Sequence, residues 1–468
     1  MRGAASCEKV ETVSRLDVID ASFHYASKRV SRDQYVLLAF DCGASAVPTF
    51  EEISQFVAER ADRIPLLGQR ILEIPGNMDF PRWIADDEPK SSRIVEIAAH
   101  SWEEVQLRLG VMAQDPVDTR DAAWRVHVAR GVDGVPHADG RAIVVVFQVS
   151  HALADGSGAS RLARLLFSTA RHESGEVPGR LFDPRLRIPV ALGAALALPY
   201  RLVRSRVAAR RARRNFARAR GAAPLDRDTL RAGIRGNADP TRARAVHVIP
   251  CTPKLFESTP LSVTSIALTA TGLATARYLD SVGDSVPATL NSLVPMALPE
   301  DVRWPAVNRL VNGTVELHQE IDDLAERAAR IRASLRDSRT ATSDPLLLNW
   351  ITAENLIPAP IFITVHKRRN RQARSDHAVP TSVLSNVTVV SVDRGPSSLE
   401  LCGTRALFSG GFPMLGPTRS VSHGFYGLGD TVTVCVTACP DTFPDHARYA
   451  QILRDAVGDV VEATSEGV

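Results

Sequence analysis

Apolar positions along this chain follow two periods. Residues 35–40 (Tyr-Val-Leu-Leu-Ala-Phe) read as a strand, and Phe50–Ala61, with Ile53, Phe56 and Val57 at helical spacing, reads as a helix. Residues 142–150 are almost continuously apolar, which suits a strand covered on both faces. Directly after it, residues 157–169 place Leu162, Leu165 and Leu166 at helical spacing, so the segment between joins a buried strand to a helix. Further on, residues 263–278 predict a buried helix, 321–335 a charged amphipathic helix and 431–437 an alternating strand. Strands and helices interleave in both halves, which argues a mixed α/β architecture.

The pattern changes from Pro184 to about Gly221, where an apolar piece precedes a segment with nine arginines between Arg201 and Arg220. Residues 186–235 therefore read as a basic crossover between an N-terminal lobe, 1–185, and a C-terminal lobe, 236–468. The longest apolar run, 188–198, spans about eleven residues where crossing a bilayer takes roughly twenty, so a soluble or peripheral protein is expected. The first nine residues lack the apolar core of a secretory signal; export is not expected, and the expected location is cytoplasmic.

Composition narrows the partners. Basic and acidic residues number 56 and 53, a net charge of +3, too balanced for a nucleic-acid binder. Six cysteines at scattered spacings suggest reduced core thiols; Cys435 and Cys439 lie four apart without two further ligands, so no metal is expected.

The candidate chemistry sits where the buried strand meets its helix, at His151-Ala-Leu-Ala-Asp155-Gly156. A histidine at a strand end is held by the sheet while its ring faces a cavity, and its pKa near neutral lets it take a hydroxyl proton and return it to a leaving group. Asp155 is placed to fix the loop through an ion pair or backbone N–H groups, and Gly156 to permit a tight turn into the helix. A core histidine beside a turn is the plain alternative.

This pattern, at this junction, resembles the motif of the wax ester synthase/diacylglycerol acyltransferase family, within the chloramphenicol-acetyltransferase-like superfamily. The resemblance is colinear over nearly the whole chain. Residues 13–17 with Asp20-Ala-Ser-Phe23 resemble the family's S-x-L-D opening, and residues 65–70 and 81–83 its early Pro, Arg and Trp landmarks. Asp115-Pro-Val-Asp118 with Trp124, residues 293–296 with Asn308-Arg309, Ser385-Asn386-Val387 and residues 439–445 are similar to later landmarks in order. The chain departs from the family in three places. Ser150 stands for the first of two histidines, Thr264-Ser265 for an Asn-Asp pair, and Thr388-Val389 for a Pro-Gly.

The resemblance implies two chloramphenicol-acetyltransferase-like lobes with mixed sheets, and a tunnel that admits an acyl-CoA from one side and an alcohol from the other. It implies His151 as general base, Asp155 and Gly156 positioning its loop, and Thr264, Ser265 and Asn386 as possible oxyanion or substrate contacts. Acyl-CoA is expected as co-substrate, with no permanently bound cofactor, and diacylglycerol or a fatty alcohol as acceptor, giving triacylglycerol or wax ester. Two alternatives stand beside this. One is a related transferase acting on a specialised metabolite; the other is a catalytically silent, lipid-surface binding protein of the same fold.

For lipid substrates the arginines acquire a use. Arg201, Arg204, Arg210, Arg211, Arg213 and Arg214 could lay a basic helix on an anionic membrane or lipid-droplet surface, and a solvated connector is the equal alternative. A second cluster, Lys367-Arg368-Arg369 with Arg371 and Arg374, reads as a surface loop, with the phosphates of coenzyme A as its other use.

Overall fold

The computed structural model describes residues 14–26, 31–168, 181–220, 230–371 and 377–465. Cys7, Val13, Thr169 and Arg374 lie outside them.

Two strands, Gln34–Asp41 and Ala142–Val149, run antiparallel in the middle of a six-stranded sheet. Their near-continuous apolar sequence follows from the period-two geometry of a strand covered twice. Val36, Leu38 and Phe40 share one face with Val145, Phe147 and the helical Leu162 and Leu166, whereas Tyr35, Leu37 and Ala39 share the other with Val144, Val146 and Val248 of the second sheet. The Phe50–Ala61 helix on the outer face starts at a capping box: the Thr49 hydroxyl accepts from Glu52 N–H at 3.2 Å and the Glu52 carboxylate from Thr49 N–H at 2.7 Å.

The first sheet runs Glu400–Leu401, Thr404–Gly410, Gln34–Asp41, Ala142–Val149, Trp124–Val132, Ile94–Glu96. The second runs Leu310–Glu316, Asn291–Ala297, Val387–Asp393, Val421–Leu428, Thr431–Ala438, Ala245–Pro250. Each mixes parallel and antiparallel pairs; Val387–Asp393, for instance, is parallel to both its neighbours. The expected two-lobed α/β architecture is thus present, but the sheets do not divide the chain at one point. Residues 400–410 leave the C-terminal half and complete the first sheet, pairing Leu37 with Gly410.

Local expectations hold with instructive shifts. The helix expected at 321–335 is Leu324–Thr342, because Asp323 caps it by accepting from Glu326 N–H at 2.7 Å. The alternation of Thr431–Ala438 marks no wet face: every residue is buried, since the strand lies between two others and beneath helices.

The crossover begins with two helices. Arg187–Leu196 and Leu198–Arg220 meet at a bend of 61°. The second packs on the helix Pro345–Glu354, burying Ala212 and bringing the Phe216 and Trp350 rings to 6.4 Å. Lys367, Arg368, Arg369 and Arg371 lie within the helix Ala359–Arg371 and not in a loop.

Candidate active site

The site begins where the Ala142–Val149 strand stops pairing. Ser150 shapes the turn: its carbonyl accepts from Leu153 N–H at 2.9 Å and its hydroxyl from Ala152 N–H at 3.2 Å. His151 follows, 3% exposed, with its ring stacked on Phe23 of the helix Val18–Ala26 at 3.9 Å and 9° between planes. Burial lowers its pKa from 6.5 to about 4, and the Arg32 charge adds to that. Its own backbone, Asp155 and Asn308 favour the charged form in part, yet none reaches Nδ1 with hydrogen-bond geometry, and this buried atom has no partner. The ring is therefore neutral at physiological pH and free to accept a proton.

The loop is tied to the second lobe by backbone bonds. The Asn308 amide donates to the His151 carbonyl at 2.8 Å and to Asp20 at 2.7 Å. Asp20 also accepts from the Val307 and Asn308 N–H groups at 2.9 and 3.2 Å. Desolvation nevertheless raises the Asp20 carboxyl to about 7. Asp155 caps the Gly156–Phe167 helix by accepting from Gly158 N–H at 2.8 Å, and its other oxygen accepts from Arg309 N–H at 3.2 Å. One aspartate thus starts a helix of the first lobe and holds the segment leading into Leu310–Glu316 of the second.

Gly156 does not serve the turn as expected. A Cβ there would make ordinary contacts, the nearest 3.6 Å from Val392, and its φ is not left-handed. The demanding glycine is Gly158, where a Cβ would lie 3.1 Å from the Ala154 Cβ and 3.4 Å from Asp155 Oδ1. Absence of a side chain there lets the cap close.

The remaining expected residues are not hydrogen-bonded to this network among the described residues. Thr264 is half-buried in the first turn of Val263–Ser281, and Ser265 is buried there, its hydroxyl 3.0 Å from that of the capping Ser262. Asn386 braces the second lobe: its Oδ1 accepts from Asn291 N–H at 3.1 Å and its amide donates to the Ala232 carbonyl at 2.7 Å. No hydrogen bond joins Thr264, Ser265 or Asn386 to the His151 loop among the described residues. Sequence reasoning missed Asp20 and Asn308 as parts of the site, although both stand in segments that resemble the family's landmarks. Two surface hollows, about 550 Å³ beside Arg339–Pro345 and about 470 Å³ beside Val47 and Arg130, include no residue of the His151 loop.

Residues 16–249 match the family model for the wax ester synthase/diacylglycerol acyltransferase catalytic domain, and residues 308–459 that for its C-terminal domain. The chain belongs to this family. A protein of Mycobacterium tuberculosis and one of Mycobacterium bovis, each provisionally named a diacylglycerol O-acyltransferase, are both 23% identical over 390 residues, covering 81% of this chain and 83% of theirs. Among solved structures, the wax ester synthase/diacylglycerol acyltransferase of Marinobacter aquaeolei VT8 superimposes with a TM-score of 0.60 at 16% identity, covering 96% of this chain and 99% of that one. The trichothecene 15-O-acetyltransferase of Fusarium sporotrichioides follows at 0.55 and 11%, covering 95% and 94%. A starter condensation domain of rhizomide synthetase reaches 0.54 at 12%, covering 99% and 98%. These likenesses show that the chain shares its fold with those proteins.

Proposed function

We propose that the protein transfers a long-chain acyl group from coenzyme A to the hydroxyl of a lipid alcohol, with His151 as general base. The observation that carries this reading is a buried, neutral imidazole with an unpartnered Nδ1, held at the lobe junction by the Asn308 bond to its backbone carbonyl. The ring takes the hydroxyl proton as the oxygen attacks the thioester carbonyl. The tetrahedral intermediate then expels the coenzyme A sulfur, which receives the proton from the imidazolium. An ester and free coenzyme A result, with no covalent acyl-enzyme and no metal in the scheme.

Diacylglycerol or a fatty alcohol is the acceptor class that the family suggests. Thr264, with a half-buried hydroxyl that makes no hydrogen bond among the described residues, is the candidate side-chain donor toward the thioester oxygen. A cytoplasmic protein seated on an anionic lipid surface fits such substrates. The bent helix pair supports it, because Ile188, Leu192, Leu196, Tyr200, Val203 and Val207 are exposed beside the exposed Arg204, Arg210, Arg211, Arg213 and Arg214. No single described helix is long and apolar enough to cross a membrane. Release of free thiol by the purified protein from palmitoyl-CoA, with hexadecanol, dioleoylglycerol or no acceptor, tests the reading. Release equal with and without acceptor across a panel of alcohols would count against it.

A further inference from the structure

One buried arginine at the seam of the two sheets has no carboxylate partner among the described residues. Arg394 directly follows Val387–Asp393, the strand parallel to both its neighbours in the second sheet, and its N–H donates to the Gly427 carbonyl at 2.8 Å. It is 5% exposed. Burial lowers its pKa to about 10, so the guanidinium is charged at physiological pH.

Among the described residues the side chain bonds only to neutral acceptors, and these come from three elements. Nη1 donates to the Ser160 hydroxyl at 2.8 Å, and Nη2 to the carbonyls of Tyr35 at 3.2 Å and Gly410 at 3.3 Å. Tyr35 and Gly410 belong to neighbouring strands of the first sheet, Gln34–Asp41 and Thr404–Gly410, whereas Ser160 belongs to the Gly156–Phe167 helix. The guanidinium carbon also lies 4.8 Å from the centre of the Tyr426 ring. A buried charge without a counter-ion is costly, and neutral acceptors with an aromatic face return only part of that cost. An apolar side chain of similar volume is often the more stable choice at such a place, so stability alone is a poor account of this arginine.

What Arg394 holds is the helix that follows His151. The Ser160 hydroxyl, which accepts from Arg394, donates in turn to the Gly156 carbonyl at 2.8 Å. Gly156 is the first residue of that helix and adjoins its cap, Asp155. Arg164, four residues beyond Ser160 and so on the same helix face, donates to the carbonyls of Arg394 at 3.0 Å and Pro396 at 2.8 Å. Helix and arginine thus hold each other reciprocally. Asp155 fastens the start of the helix to Arg309, and Arg394 fastens its first turn to strands of both sheets.

We propose that Arg394 is a positioning residue for acyl transfer: through Ser160 and the Gly156 carbonyl it sets the first turn of the helix, and with it the placement of the His151 ring. This rests on the acyl-transfer reading and adds to it a residue 243 positions from His151 in the chain.

Two variants separate positioning from general stabilisation. Ser160→Ala removes the link and leaves the Arg394 bonds to Tyr35 and Gly410 in place. Arg394→Lys keeps the charge but loses the planar fork that reaches helix and sheet together. In thiol release from palmitoyl-CoA with an accepting alcohol, each should lower kcat by about ten- to a hundredfold, the size of loss that an ångström of misplacement produces, with KM for palmitoyl-CoA within about twofold of the parent. The double variant should be no slower than Arg394→Lys alone, because both changes cut one chain of contacts. Histidine-selective NMR, with the His151 ring signal identified by its loss in His151→Ala, gives a readout that needs no turnover. That signal should move in both variants and stay in place in Arg454→Gln, at an exposed arginine paired with its neighbour Asp455. Losses that multiply in the double variant overturn the proposal, as does a rise in KM at unchanged kcat, which would make Arg394 part of a substrate contact. An unmoved ring signal in Ser160→Ala overturns it too, even where Arg394→Lys does not fold. A moved signal in a protein that releases no thiol retains the positioning and removes the acyl-transfer reading; thiol release with an unmoved signal does the reverse.

Discussion

The side chain of Asn308 donates a 2.8 Å hydrogen bond to the main-chain carbonyl of His151, 157 residues earlier, and its other amide hydrogen goes to Asp20 at 2.7 Å. The ring of the proposed base is thus aimed from behind, by a contact between lobes that leaves Nδ1 without a partner. Asn308→Ala should take the Asn308 amide from the His151 carbonyl and remove one of the three donors to the buried Asp20 carboxyl, leaving it the Val307 and Asn308 N–H groups. A loss of about 1–3 kcal/mol in urea unfolding is expected, with lower turnover. A variant as stable and active as the parent would show that the bond aims nothing.

The pH dependence follows from the depressed His151 pKa. Because the free ring protonates only near pH 4, kcat/KM should rise through about 4 and be level above it, without an inflection at 6.5 from this group. For stability the sign is as follows. Between 4 and 6.5 the unfolded chain binds a proton at His151 that the folded chain refuses, so this residue lowers stability as pH falls through 6.5, and the effect saturates below about 4. That contribution is on the order of 3 kcal/mol. Thermal melts should therefore show a shallower decline from pH 6.5 to 4 in His151→Gln than in the parent; parallel declines would refute the assignment.

The two glycines of the loop should behave in opposite ways. Gly156→Ala places its methyl at ordinary contact distance and should change stability by no more than about 0.5 kcal/mol. Gly158→Ala pushes a methyl toward Ala154 and the capping oxygen of Asp155, and should cost about 1–2 kcal/mol as the cap opens. Denaturant midpoints for the pair decide between them.

These positions also show what the sequence could carry. The buried strand, the helix after it and Asp155 as its cap are local: a doubly covered strand needs an apolar run, and a helix needs an acceptor at its first N–H groups. The bonds from Asp20 to Asn308 and from Asn308 to His151 span 288 and 157 positions, and no local period encodes them. The same holds for residues 400–410, whose strands look no different from their neighbours yet complete the other sheet. Gly156 drew notice because it follows Asp155 in the pattern, while the steric demand falls two residues later.

The bent helix pair predicts binding to anionic vesicles. Flotation with phosphatidylglycerol-containing liposomes should recover the protein at low salt and less of it at high salt, because exposed charges are screened over about 10 Å at 0.1 M. Replacing Arg204, Arg210, Arg211, Arg213 and Arg214 with glutamine should abolish the salt-sensitive part. Leu196→Ser and Tyr200→Ser, at positions 85% and 68% exposed, should weaken the remainder without lowering stability. Recovery that is indifferent to salt and to both sets of changes would assign the helices to another role.

The decisive comparison is between His151→Ala and Asp155→Asn. His151→Ala removes the ring but keeps the backbone carbonyl that Asn308 holds, so the inter-lobe bond survives. Turnover should fall by about a hundred- to ten-thousandfold, the usual cost of losing a general base, while the fold persists. Asp155→Asn acts elsewhere. Each carboxylate oxygen accepts one N–H, from Gly158 and from Arg309, and an amide can replace only one of those oxygens while turning a donor toward the other. Stability should then drop by about 1–3 kcal/mol, with activity falling as the loop loosens. Near-full turnover in His151→Ala at unchanged stability would remove the histidine from the chemistry. If His151→Ala were destabilised as much as Asp155→Asn, the stacked ring against Phe23 would be a packing element, and the silent lipid-binding alternative would gain the support that the acyl-transfer reading lost.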